Sequence, residues 1–179
     1  MTSRDAHHRA GRAAPAGAYA RFLLRVAIGF AAALALRALG PGLERGAIRA
    51  TLASLTVVFR ALHGAPAVAG DVITSGGVAF RVVGDCTPLM PTLLIVVAML
   101  AFPAPWRARL AGIAAAAVVL WAYNLFRVVV LIGVMARWPR AFDFVHVYLW
   151  QTVTLVVVVA TFMAWLSACA RPAPPRAPA

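Results

Sequence analysis

The stretch LAGIAAAAVVLWAYNLFRVVVLIGVMA, Leu110–Ala136, decides the fold. It is apolar almost throughout and exceeds the roughly 20 residues that carry a helix across a bilayer. Its polar side chains are Tyr123, Asn124 and Arg127. A guanidinium inside such a run costs roughly a few kcal/mol in lipid, so Arg127 needs a partner or a water-filled cleft, and it marks a functional position by default.

The rest of the chain has the same character. Of 179 residues, 63% are hydrophobic and 12% charged, and the mean hydropathy is +0.87, far from the soluble balance. The chain therefore reads as an all-α integral membrane protein with about four transmembrane helices, at about 22–39, 87–103, 109–136 and 146–167, in a single membrane domain, 21–168. Residues 1–20 read as a disordered basic cytoplasmic tail and 169–179 as a Pro-rich disordered cytoplasmic tail. Ala33-Leu34-Ala35 resembles a signal-peptide cleavage site, which leaves open a cleaved first run. Arg25 within that run and the long leader before it favour a retained span.

The formal charge is +12, with seventeen basic residues against five acidic ones. Such a balance suits a nucleic-acid partner when the arginines form a patch with interleaved aromatics. Here they flank apolar runs, as membrane anchors do, so the partner expected is the lipid bilayer and not nucleic acid. Arg4, Arg9 and Arg12, then Arg107 and Arg109, then Arg171 and Arg176 share one face under a four-span scheme, which makes that face cytoplasmic. Arg45, Arg49, Arg60, Arg81, Arg137 and Arg140 fall outside the scheme. From Arg109 the helix rises about 27 Å to Arg127, which puts Arg127 near the outer leaflet. Val128 to Ala136 continue it for roughly another 13 Å, so the helix either tilts or projects beyond the bilayer.

Residues 40–85 then form an extracytoplasmic segment. Between Glu44 and His63 the residues Ile48, Leu52, Leu55, Phe59 and Leu62 fall on one helical stripe, which predicts an interfacial helix. Val78, Phe80 and Val82 alternate after Ser75-Gly76-Gly77, which predicts a short β-hairpin leading to Cys86.

Cys86 precedes one apolar run and His146 opens another. Thr87 as N-cap and Pro88 in the first turn would place Cys86 at a helix N-terminus, where thiolate is favoured. Asp85 works against this unless an arginine neutralises it, and Arg127 is the candidate. Cys169 lies at the opposite face and offers no disulfide. A plain alternative is that Cys86 is a small apolar filler. His146 equally suits an aromatic belt with Tyr148 and Trp150. Asp143, one turn earlier, is placed to orient its imidazole, Gln151 is a further polar neighbour, and His63 competes for the role. His7 and His8 lie in the tail. Asn124 holds the guanidinium, binds substrate backbone or bridges helices. No cluster with metal-ligand spacing is present, and neither a metal nor a cofactor is expected.

Gly84-Asp85-Cys86-Thr87, Asn124-Leu125-Phe126-Arg127 and Phe142-Asp143-Phe144-Val145-His146, each joined to a membrane span in that order, resemble the exosortase and archaeosortase family. The likeness covers roughly Leu43 to Leu166. The short length and Tyr148-Leu149-Trp150-Gln151 look most like small exosortase H-type members. Pro88 departs from the glycine that many members carry after a Ser or Thr. The resemblance implies a bacterial cytoplasmic-membrane cysteine transpeptidase or protease, its site facing outward. Its substrates would be exported proteins anchored by a C-terminal sorting signal, namely a short motif, a transmembrane helix and a basic cluster. Cys86 would be the nucleophile, His146 the general acid/base and Arg127 the oxyanion or substrate stabiliser, with Asp85, Thr87, Asn124, Asp143 and Gln151 around them. An acceptor for the cleaved chain is not specified. The alternative is a non-catalytic membrane scaffold that binds partner transmembrane helices. A channel or transporter has less support, since the chain shows a single intramembrane charge and no internal repeat.

Overall fold

The computed structural model describes residues 16–62 and 64–170. His63 lies outside the described residues, as do most of both expected tails, with Arg4, Arg9, Arg12, Arg171 and Arg176. The helices extend a few residues into those expected tails, from Ala16 at one end to Ala170 at the other.

Helix α1 (Ala16–Leu39) is followed at once by α2 (Pro41–Ala61). Pro41 has no N–H to continue the α1 ladder and disfavours helical geometry at Gly40, which sits at φ −115° and ψ 63°. The axes of Ala20–Leu36 and Pro41–Ala61 accordingly differ by 81°. Thr51, Leu52 and Leu55 form the buried face of α2, while Leu62, at the end of the expected stripe, is exposed.

Three strands follow: β1 (Ala67–Ala69), β2 (Val72–Ser75) and β3 (Val78–Arg81), antiparallel in sequence order. Gly76 and Gly77 close the β2–β3 turn with φ of 58° and 78°, the left-handed pair that matches hairpin twist. That hairpin is the one the alternation predicts. The structure corrects it to a three-stranded sheet, because Gly70, at φ 64°, turns the chain once more and lets Ala67 pair with Thr74. Ile73 and Phe80 are paired across β2 and β3 and buried on the inner face. The fold is thus mostly helical, with a small three-stranded sheet where a two-stranded hairpin is expected.

A 3₁₀ turn, Gly84–Cys86, leads to α3 (Leu89–Ala101). Its thirteen residues rise only about 20 Å, shorter than the expected 87–103 span. Helix α4 (Trp106–Arg137) contains the whole 109–136 span. A continuous helical run from Pro139 to Ala170 comprises a 3₁₀ turn, the short α5 (Phe142–Phe144), a π turn (Val145–Leu149) and α6 (Trp150–Ala170). Among the described residues, α4 and the Pro139–Ala170 run are the two helices long and apolar enough to cross a membrane. The bent α1–α2 pair passes only when taken together. Among the described residues two such helices, or three with that pair, are shown against the four expected, and α3, at thirteen residues, falls short of a span.

Two apolar clusters are stacked along α4. The lower one joins Ile95 and Met99 of α3, Ala116 and Leu120 of α4, and Val158 and Trp165 of α6. Its helices approach closely: a Cβ on Gly112 would collide with the Trp165 indole, whose N–H donates to the Ala108 carbonyl at 2.9 Å. The upper cluster joins Leu52 and Leu55 of α2, Ile73 and Phe80 of the sheet, Val82, Cys86, Trp150, and Val128, Leu131 and Ile132 of α4. The turns of α4 beyond Arg127 therefore project into a second layer built with α2 and the sheet.

Candidate active site

The turn around Cys86 is held by its own backbone. Cys86 N–H donates to Val83 O at 2.9 Å and Thr87 N–H to Gly84 O at 3.1 Å. The Thr87 hydroxyl donates to the same Gly84 carbonyl at 2.7 Å. Its oxygen accepts only a long 3.5 Å contact from Leu89 N–H, and α3 begins at Leu89 with Pro88 in the cap position. Thr87 thus closes the cysteine turn instead of capping the helix, one residue away from the expected register. Gly84 lies against α2, where a Cβ would meet the end of the flexible Glu44 side chain. In the sequence Glu44 marks only where a helix begins, and it stands in the first turn of α2. A carboxylate among only five acidic residues in an apolar chain was the available signal.

Helix α4 grips this turn with two side chains one helical turn apart. Asn124 Nδ2 donates to Cys86 O at 2.9 Å, and Arg127 Nη2 donates to Asp85 O at 3.2 Å. Asn124 is therefore an interhelical bridge to the cysteine turn. Arg127 is only 7% exposed, and its Nε is buried without a hydrogen-bond partner. These contacts fix Arg127 at the level of the Cys86 turn.

His146 arrives from the other side. It lies in the π turn Val145–Leu149, where the Trp150 N–H reaches back five residues to Val145 O. Wide turns of this kind are uncommon and recur at functional sites. The imidazole stacks on Phe142, with centroids 5.4 Å apart and planes at 28°. Asp143, expected to orient the ring, is exposed. No hydrogen bond joins it to His146 among the described residues, so the stacking on Phe142 takes that place. Tyr148 is exposed, whereas Trp150 is buried against Tyr123 and Phe126.

A cavity of about 620 Å³ lies between these parts. Gly84, Asp85 and Thr87 form one wall, Arg127 and His146 another, and Met90, Pro91, Gln151 and Thr154 border it below. Cys86 does not line it: its side chain is 2% exposed and sits in the upper apolar cluster, and no hydrogen bond joins it to His146. Burial pushes its thiol pKa above the ordinary value; the Val83 hydrogen bond and the Arg127 charge oppose this, and Asp85 adds to it. Cys86 and Cys169 are both free thiols. Among the described residues no group of three His, Cys, Asp or Glu side chains could hold a metal ion. The cavity thus offers a fixed cation and an imidazole, while the cysteine is buried outside its lining. No protein-family model, no curated protein and no solved structure matches the chain.

Proposed function

We propose that the protein is a membrane-embedded cysteine transpeptidase or protease that cuts the C-terminal sorting signals of exported, membrane-anchored proteins at the outer face of a bacterial cytoplasmic membrane. The observation that carries this reading is Arg127, nine-tenths buried, bonded to the Cys86 turn and sharing a cavity with His146. In this reading α1, α3, α4 and α6 are the four membrane elements. Helix α2 and the sheet form the outer layer, and the cavity lies at the boundary.

Substrate binding turns Cys86 Sγ from the apolar cluster into the cavity. His146 takes the thiol proton, and the thiolate attacks the scissile carbonyl carbon. Charge develops on the carbonyl oxygen and is met by the Arg127 guanidinium, which borders the cavity, in a site that excludes much of the water. His146 returns the proton to the leaving amine as the C–N bond breaks. The resulting thioester is resolved by water or by an amine acceptor, which regenerates the thiol.

One observation favours a second reading, a non-catalytic scaffold for partner helices. Cys86 is buried and Arg127 already binds a structural carbonyl. The two readings separate in cells producing an exported reporter that ends in a polar segment, an apolar helix and a basic cluster. The peptidase reading expects the parent chain to shorten the reporter and Cys86→Ala, Arg127→Ala and His146→Ala not to. If all three variants insert, fold and process it as well as the parent, the scaffold reading stands.

A further inference from the structure

Of the three polar side chains within the α4 run, Asn124 and Arg127 hold the cysteine turn, and Tyr123 reaches the other helix of the site. Thr154, in the first turns of α6, donates its hydroxyl proton to the Trp150 carbonyl at 2.6 Å. With that proton committed, the Thr154 oxygen accepts from the Tyr123 hydroxyl at 2.9 Å, which also lies 3.5 Å from the same carbonyl. The Trp150 ring is held too, edge to face with Tyr123 and with Phe126, its centroid 6.0 Å from each. Trp150 is the residue whose N–H closes the π turn onto Val145 O. Its backbone and its ring are therefore both tied to α4.

That turn decides which way His146 faces. Eight residues of plain α-helix would leave His146 and Thr154 about 80° apart around the axis. The extra residue that a π turn takes up removes most of this offset, and both side chains border the cavity. A π turn is rare beside the α-helix it interrupts, so it needs support from outside its own helix. We infer that Tyr123 is a positioning residue for His146: through Thr154 and Trp150 it locks the π register that turns the imidazole into the cavity. Its consequence for catalysis rests on the peptidase reading. One rigid helix then sets both sides of the site, the cysteine turn through Asn124 and Arg127 and the histidine through Tyr123, before any substrate arrives.

The test uses the full-length chain in bilayers, with a reporter that ends in a polar segment, an apolar helix and a basic cluster. Tyr123→Phe removes the hydroxyl and keeps the ring, and Thr154→Val removes its partner. Tyr148→Phe, at an exposed tyrosine close to His146 in the chain, is the control. Steady-state cleavage and amide hydrogen exchange over residues 145–150 are both read. In either lock variant kcat should fall about tenfold with KM held. Exchange over residues 145–150 should quicken about threefold or more while the rest of α6 keeps the parent rate. The double variant should be no worse than the singles, and Tyr148→Phe should match the parent. Exchange that stays at the parent rate, or quickens evenly along α6, overturns the inference, as does a loosened turn with kcat untouched. Cleavage by the parent with neither readout moved in Tyr123→Phe sinks the lock but not the peptidase. A loosened turn in the lock variants with no cleavage by the parent upholds the lock and counts against the peptidase.

Discussion

Asn124 and Arg127, one turn apart on α4, donate to consecutive backbone carbonyls: Asn124 to Cys86 O at 2.9 Å and Arg127 to Asp85 O at 3.2 Å. Two side chains on one rigid helix thereby set the height and pitch of the cysteine turn. Asn124 has no charge to offer the cavity, so its part is positional. Arg127 has donors left over.

Asn124→Leu leaves the Cys86 carbonyl buried without a donor, which costs about 1–3 kcal/mol. The melting point in detergent should fall, by roughly 2–4 °C for each kcal/mol. The loosened turn should also let a small thiol reagent reach Cys86 faster. An unchanged melting point and labelling rate would show that the hydrogen bond does not hold the turn.

Arg127→Lys keeps a charge but loses the planar fork that holds Asp85 O through Nη2 while the residue lines the cavity. Reporter cleavage should drop about 100-fold or more, the scale for losing an oxyanion donor, while insertion and folding survive. Cleavage near the parent rate in the lysine variant would mean that bulk charge, not geometry, is what Arg127 supplies.

How far this was legible in the sequence depends on range. The long apolar run of α4, the Ile48–Phe59 stripe and the Gly76-Gly77 turn follow from periodicity and backbone chemistry, which are local. The third strand did not: Ala67–Ala69 is three residues long and exposed throughout, so it carries no alternation to read. The break at Gly40 has a local signal in Pro41, which cannot continue the α1 hydrogen-bond ladder. The Glu44–Gly84 contact joins residues forty positions apart, and nothing in either neighbourhood announces it. The side to which Cys86 points is equally a matter of packing. The turn could have aimed it at the cavity, and instead it lies among Val82, Val128 and their neighbours.

Gly112→Ala tests the lower packing. The added methyl would displace the Trp165 indole and weaken its bond to Ala108 O, a strain of about 1–3 kcal/mol. The variant should melt earlier, and Trp165→Leu in the same chain should recover part of the loss. An Ala variant as stable as the parent would mean that α4 and α6 are further apart than described.

The pH dependence of Cys86 follows from its burial. A thiol held above its ordinary pKa is mostly protonated at neutral pH, so thiolate reactions should speed up about tenfold per pH unit up to that raised pKa. Iodoacetamide alkylation in a Cys169→Ser background should still be climbing at pH 9, and Arg127→Gln, which removes a lowering charge, should slow it at any fixed pH below that point. A plateau beneath pH 7.5 would reveal a resting thiolate, contrary to the burial seen.

The most direct test of the central claim is the intact mass of the purified, reporter-treated Cys169→Ser chain. The account predicts an adduct equal to the reporter's N-terminal fragment, joined to Cys86 as a thioester, released by hydroxylamine and absent from Cys86→Ala. Reporter cleaved to completion by both chains, with no adduct at Cys86 at any time, would contradict it.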